Sequence, residues 1–202
     1  VAVGDETADK LIARLKPLVE SLKVGPGCLR GKDENEMGPV VSEAHQKKVL
    51  GYIDKGVSEG ASLVVDGRRL RVAGHEDGYY VGGTLFDHVT PEMTIWREEI
   101  FGPVLAVCAF DSEQEAVHLA NNHIYALAAS LWTDNLHRAH RVAAQLTAGT
   151  ISVNTVDALD VTVPFGGNKQ SGFGRDLSLH AFDKFTSLKT TWFQFQQTGE
   201  TK

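Results

Sequence analysis

The sequence has few of the residues that metal sites and nucleophilic sites require. Its two cysteines, Cys28 and Cys108, lie in no CxxC or other metal-ligand spacing. The eight histidines form no HExxH pair, and neither a GxGxxG nor a Walker A loop is present. No serine or cysteine has an obvious partner base. We therefore predict no metal site and no catalytic nucleophile within these residues.

Excess basic charge and long apolar runs are also missing. The net charge of -6 argues against nucleic acid or an anionic membrane as the main partner. No apolar run approaches the roughly 20 residues of a membrane-spanning helix, and no signal peptide is recognisable. Two unpaired cysteines suit a reducing compartment, so we expect a cytoplasmic protein. The chain opens at Val1 in what resembles the end of a strand, and we expect it to begin within a longer protein.

Hydrophobic periodicity predicts alternating helices and strands, with a hydrophobic content of 42% that suffices for a core. We predict helices at about 5–22, 43–56, 112–120 and 136–146, and strands at 61–65, 79–85, 104–110, 128–132 and 150–153. Short connections between alternating elements are typical of a parallel sheet covered by helices. The prediction is an α/β fold with one domain over 1–185. Residues 186–202 follow as a tail, in which 186–195 is a strand whose free edge would pair with another subunit.

The centre of the chain, Trp96–Val104, places two acids and an aromatic before a Gly-Pro turn and a strand. We expect Glu99 and Phe101 on a loop at the mouth of the sheet. A carboxylate there can accept hydrogen bonds from a diol such as a ribose, and an aromatic face can pack on a flat ring. Spacing alone favours a simpler alternative, a surface turn with a solvated acid and a core phenylalanine.

A second loop is predicted where periodicity fails, from Asn154 to Arg175. Structureless segments of this length in compact domains are usually functional or disordered. The apolar residues Val161, Val163 and Phe165 argue against disorder. The loop begins at the C-terminal end of a predicted parallel strand, which is where α/β proteins bind ligands.

Three motifs now carry a family resemblance. They are Glu98–Val104 (EEIFGPV), Asn121–Thr133 (NNHIYALAASLWT) and Val153–Asp176, which contains PFGGNKQSGFGRD. Together, in this order and spacing, they resemble the NAD(P)-dependent aldehyde dehydrogenase superfamily over nearly the whole chain, from Val1 to about Trp192. The resemblance implies the C-terminal part of the catalytic domain.

The resemblance also implies binding roles. Glu99 would hold the nicotinamide ribose of NAD or NADP, Phe101 would pack beside it, and Lys48 would lie near the adenine-side ribose. Asn154, Leu159 and Phe165 would wall the tunnel for a small aldehyde, although core packing is an alternative for Phe165. The 186–195 strand would join a homo-oligomer.

The departures from the family are equally informative. Its nucleophilic cysteine, its general-base glutamate and its Rossmann-type domain would all lie upstream of Val1, so this chain would contain no catalytic residue and would be inactive alone. The alternatives are a non-enzymatic interaction or oligomerisation module, or one half of a split enzyme that binds a separate N-terminal fragment.

The subfamily is left open by two competing resemblances. Gly78–Phe86 and Pro91–Met93 resemble methylmalonate-semialdehyde dehydrogenase, which makes an acyl-CoA and would add CoA as a co-substrate. Gly174–Thr186 resembles γ-glutamyl-γ-aminobutyraldehyde dehydrogenase, which makes a free acid. Ala126 replaces the usual family glycine after Tyr125, a departure that bears on the local turn.

Overall fold

The computed structural model describes residues 2–27 and 35–195. The chain divides into two compact units, Val1–His123 and Ile124–Lys202. This boundary lies inside the range 1–185 that we predicted as one domain. Cys28 and the tail residues 196–202 lie outside the described residues.

The first unit contains four helices and five strands within the described residues. In chain order they are β1 Ala2–Gly4, α1 Asp5–Glu20, α2 Glu43–Ser58, β2 Ser62–Val65, β3 Thr84–Asp87, α3 Thr94–Arg97, β4 Val104–Ala106, β5 Cys108–Phe110 and α4 Glu113–Asn121. A 3-10 turn, Gly67–Arg69, follows β2. The predicted helices near 43–56 and 112–120 are confirmed, because Ser42 and Ser112 cap them by accepting hydrogen bonds from the backbone three residues on.

Two predicted strands differ from the structure. The run 104–110 is not one strand, because β4 pairs in parallel with β3 whereas β5 pairs in parallel with β1. Val107 lies between β4 and β5, fully buried, and its N–H donates to the carbonyl of Phe86 at 2.9 Å. The strand predicted at 79–85 begins only at Thr84, because Gly82 and Gly67 pack backbone against backbone just before it.

The core of the first unit lies between α2 and the β2–β3–β4 sheet. Val49 and Ile53 are four residues apart on α2, so they share one face and both are fully buried. They pack in one cluster with Phe86 of β3 and with Ile95 and Ile100 from the segment before β4. This cluster fixes α2 against the segment that connects α3 to β4.

The second unit is smaller and more irregular. Its elements are β6 Tyr125–Ala126, β7 Ala128–Leu131, α5 Leu136–Gln145, β8 Thr150–Val153, β9 Asn168–Lys169 and a 3-10 helix, Leu179–Lys184. β7 and β8 pair in parallel, as predicted, and β6 pairs antiparallel to β9. Asn135 caps α5 through a hydrogen bond from the Arg138 N–H at 2.9 Å.

The described strands form four short sheets rather than the one continuous parallel sheet that we predicted. The mixed α/β character is confirmed. Residues 186–195 form neither helix nor strand, and their large apolar side chains are exposed. An oligomerisation role for this segment stays a prediction. None of the helices in the described ranges is both long and apolar enough to cross a membrane.

We predict that Gly102→Ala destabilises the first unit. An added Cβ would lie 2.6 Å from Cγ2 of Val49, whose side chain is fully buried. Overpacking of this kind costs about 1–3 kcal/mol. The measurement is urea unfolding of the 202-residue chain. Gly51→Ala is the matched control, because Gly51 has open space on α2 and alanine favours helix by about 1 kcal/mol. If Gly102→Ala and the wild type had the same free energy of unfolding, Gly102 could not be packed tightly against Val49.

We predict that Asp66 stabilises this unit only above acidic pH. Arg68 holds the pKa of Asp66 below its usual value, chiefly through hydrogen bonds at 2.7 and 2.8 Å. A carboxylate whose pKa is lowered by folding adds stability at pH values above its unfolded-state pKa, which is about 4. This stability is lost as the pH falls through the folded-state pKa.

The Asp66→Asn variant should therefore unfold more easily than wild type at pH 7. The difference should narrow progressively below about pH 4. Urea unfolding at a series of pH values measures it, with the exposed Asp9→Asn as control. A difference that stays constant down to pH 2 would show that the charge is not the cause.

Candidate functional site

The loop that joins α3 to β4, residues 98–103, holds the predicted cofactor contacts. Phe101 adopts φ 58°, a left-handed conformation that is uncommon for a large residue and is concentrated at functional sites. Its side chain is 76% exposed, whereas the preceding Ile100 is buried. The alternative that Phe101 is a core residue is therefore wrong. The loop anchors itself through Ile100 and presents Phe101 outward.

The two acids of the loop have different environments. Glu98 accepts a hydrogen bond from the Tyr52 hydroxyl at 2.7 Å. Glu99 is exposed, and its carboxylate has no hydrogen-bond or ion-pair partner among residues 2–27 and 35–195. An ionised carboxylate without a partner can accept two hydrogen bonds from a bound diol. The geometry therefore distinguishes Glu99 from its neighbour as the acid available to a ligand.

Lys48 lies in the same unit, on the exposed surface of α2. Its Nζ atom is 5.6 Å from the centroid of the Tyr52 ring, within cation–π range. Because Tyr52 also bonds Glu98, Lys48 is placed beside the 98–103 loop. Lys48 and the 98–103 loop thus both contact Tyr52.

Asn154, the first predicted substrate residue, lies at the end of β8 in the second unit. Its amide forms a reciprocal pair with the backbone of Thr133, accepting from the N–H at 2.8 Å and donating to the carbonyl at 3.0 Å. Its own N–H donates to the carbonyl of Leu131 at 2.8 Å. These bonds tie the ends of β7 and β8 together and fix the start of the following loop.

Leu159 and Phe165 differ in exposure. Leu159 is 52% exposed. Several other apolar residues of the loop are exposed to a similar or greater extent. Phe165 is half-buried, and its backbone exchanges two hydrogen bonds with Asp176 at 2.7 and 2.8 Å. The half-buried position is compatible with both proposed roles of Phe165. The structure does not show the three substrate residues as one cluster.

Arg175 is a residue whose role the sequence analysis missed. Its guanidinium donates to the carbonyls of Gly167 and Gly174 at 2.9 and 2.7 Å and to Oδ1 of Asn168 at 2.8 Å. Lys184 pairs with Asp176 at 2.5 Å. These contacts order the glycine-rich stretch, residues 164–176, most of which lies outside helices and strands. The charged residues of the Gly174-Arg175-Asp176 motif were the feature of the sequence from which this role could have been predicted.

Cys108 is the one cysteine within residues 2–27 and 35–195, and it forms no disulfide there. Cys108 is buried, and burial raises the pKa of its thiol, as is typical of an inert cysteine. No group of three or more histidine, cysteine or acidic side chains in the described ranges could hold a metal ion.

Comparison with known proteins gives consistent matches. The aldehyde dehydrogenase family model matches residues 1–191. A malonate-semialdehyde dehydrogenase of Pseudomonas aeruginosa is 49% identical over 183 residues, 90% of this chain and 36% of that protein. A betaine aldehyde dehydrogenase of Sinorhizobium fredii is 45% identical over 192 residues, 95% of this chain and 39% of that protein.

A solved structure gives the same result. The NAD+ complex of an aldehyde dehydrogenase from Bacillus cereus superimposes with a TM-score of 0.88 at 41% identity, covering 97% of this chain and 38% of that one. The chain thus spans less than two fifths of the length of these relatives. With the family model covering nearly its whole length, the chain belongs to the aldehyde dehydrogenase family.

Proposed function

We propose that this chain is the C-terminal part of the catalytic domain of an NAD(P)-dependent aldehyde dehydrogenase. The complete enzyme oxidises an aldehyde to a carboxylic acid or an acyl-CoA through a cysteine thiohemiacetal and thioester. The observation that carries the proposal is the 98–103 loop, in which Glu99 is unpartnered within the described residues and Phe101 is presented outward from left-handed backbone. In this proposal the nucleophilic cysteine, the general-base glutamate and the Rossmann-type domain are supplied by other parts of the complete enzyme.

In this proposal the loop binds the cofactor's ribose. The Glu99 carboxylate accepts hydrogen bonds from the two hydroxyls of the nicotinamide ribose, and Phe101 packs beside them. Lys48 lies near the adenine-side ribose. The nicotinamide, when bound, accepts the hydride from the substrate. The solved relative from Bacillus cereus is an NAD+ complex, which supports NAD as the cofactor; NADP is the second candidate.

The aldehyde is bound by the loop that follows β8. Leu159 presents an exposed apolar side chain, and Phe165 is held half-buried by its pairing with Asp176. Asn154 contributes by fixing where this loop starts, because its amide is bonded to Thr133. We assign the side chains of Leu159 and Phe165 to the tunnel wall, with Asn154 at its base.

A second candidate function is an interaction module or one half of a split enzyme. The observation that favours it is the exposure of Leu188, Trp192, Phe193 and Phe195. Apolar surface of this kind marks an interaction site. It suits a homo-oligomer formed through 186–195, or a separate N-terminal fragment, in a cytoplasmic enzyme.

The proposal is tested by replacing the matching segment of the Pseudomonas aeruginosa relative with this chain. We expect the 202-residue chain alone to produce no NADH and the joined protein to produce NADH from an aldehyde panel. The panel holds malonate semialdehyde, methylmalonate semialdehyde, betaine aldehyde and γ-glutamyl-γ-aminobutyraldehyde, each with and without CoA. Turnover by the isolated chain, or a folded joined protein inactive on every aldehyde, would overturn the proposal.

In the joined protein, Glu99→Gln should raise the KM for NAD about tenfold or more. The loss of charge-assisted hydrogen bonds to the ribose is the reason, since such bonds contribute about 1.5–3 kcal/mol. Glu20→Gln is the matched control, because Glu20 is also exposed in the first unit. An unchanged KM for NAD in Glu99→Gln would remove Glu99 from the cofactor site.

Leu159→Ala should separate substrate binding from cofactor binding. Removing this apolar side chain should change the kcat/KM of γ-glutamyl-γ-aminobutyraldehyde, which has a chain of methylene groups, relative to that of malonate semialdehyde by roughly tenfold, because methylene groups in apolar pockets discriminate at that level. The KM for NAD should stay at the wild-type value. A uniform effect on all aldehydes and on NAD would indicate loop misfolding instead of tunnel lining.

A further inference from the structure

One face of α2 contacts the 98–103 loop at three points. His45, Val49 and Tyr52 are spaced by four and three residues, so they lie on one side of the helix. His45 bonds the Phe101 carbonyl, and Tyr52 bonds the Glu98 carboxylate. Val49 lies under Gly102. The helix therefore contacts the loop on both sides of Glu99.

Of these three contacts, the one made by His45 involves Phe101, the residue in left-handed backbone. Its Nε2 atom is 2.6 Å from the carbonyl oxygen of Phe101. Because a carbonyl can only accept, Nε2 must carry a proton and donate. The His45 and Phe101 rings also meet edge to face, with centroids 6.2 Å apart and planes at 69°. The same imidazole thus restrains both the backbone and the ring of Phe101.

The loop needs such a restraint. A large residue in left-handed backbone is disfavoured by about 1–3 kcal/mol. Burial of the side chain cannot offset much of this cost, because the Phe101 ring is exposed. Without a bond to its carbonyl, the peptide could relax to a commoner conformation, which would turn Phe101 and the neighbouring Glu99 away from their present directions.

We propose that His45 is a positioning residue for the cofactor's ribose, acting through the Phe101 carbonyl to keep Glu99 and Phe101 in their binding arrangement. This rests on the function proposed above for the loop. The role belongs to the His45 side chain and is separate from helix formation, because the His45 N–H is held by the Ser42 hydroxyl at 3.2 Å. Alanine also has a higher helix propensity than histidine, so loss of the side chain does not weaken α2.

The first test uses amide hydrogen exchange on the 202-residue chain without cofactor. We expect the peptide spanning 98–105 to exchange several-fold faster in His45→Ala than in wild type. His45→Gln, whose amide can still donate, should restore the slower rate. His140→Ala, which removes an exposed histidine from α5, is the matched control and should leave this peptide unchanged. Equal exchange in His45→Ala and wild type would overturn the proposal.

The second test measures the joined protein. We expect His45→Ala to raise the KM for NAD several-fold with the KM for the aldehyde unchanged, and His45→Gln to recover most of the loss. An unchanged KM for NAD in His45→Ala, while Glu99→Gln raises it, would overturn the positioning role and leave the proposed function intact. If neither variant changes the KM for NAD, the assignment of the loop to the cofactor has failed, and the role of His45 in binding fails with it.

Discussion

The packing of Val49 against Gly102 is the contact on which the first unit and its candidate site both depend. Val49 is fully buried in the core cluster, and the absence of a side chain at position 102 lets the backbone approach it. This close approach brings the 98–103 loop onto α2. Only then can His45 and Tyr52, one turn to either side of Val49, reach the backbone of Phe101 and the carboxylate of Glu98. A core contact thus determines where the 98–103 loop lies.

Much of the fold could be predicted because its helices have local signals. α2, α4 and α5 follow Ser42, Ser112 and Asn135, which cap them, and periodic apolar residues continue each one. The break at Val107 had no such signal. The run 104–110 is uniformly apolar, and its division depends on β3 and β1 pairing with different halves, which local pattern cannot reveal.

The candidate site was predictable to a similar degree. The Gly-Pro pair at 102–103 correctly indicated a turn that exposes Glu99 and Phe101. The family resemblance selected Glu99 over Glu98, but the sequence could not show the physical difference between them, which is a hydrogen bond to Glu98 from Tyr52, 46 residues away. The contacts of His45 with Phe101 and of Asn154 with Thr133 span 56 and 21 residues. Such pairings arise only from the tertiary fold, so they were missed.

Each candidate loop is held by its own unit. α2 holds the 98–103 loop, whereas Thr133, through Asn154, holds the start of the loop after β8, and Arg175 orders the glycine-rich stretch that follows. Most of these bonds end on backbone atoms, so within the described residues the exposed side chains of Glu99 and Leu159 take no part in them. Preorganised contacts lower the entropic cost of binding, because fewer groups must be ordered when the ligand arrives. Within each unit, these contacts therefore hold the candidate loop in place before any ligand binds.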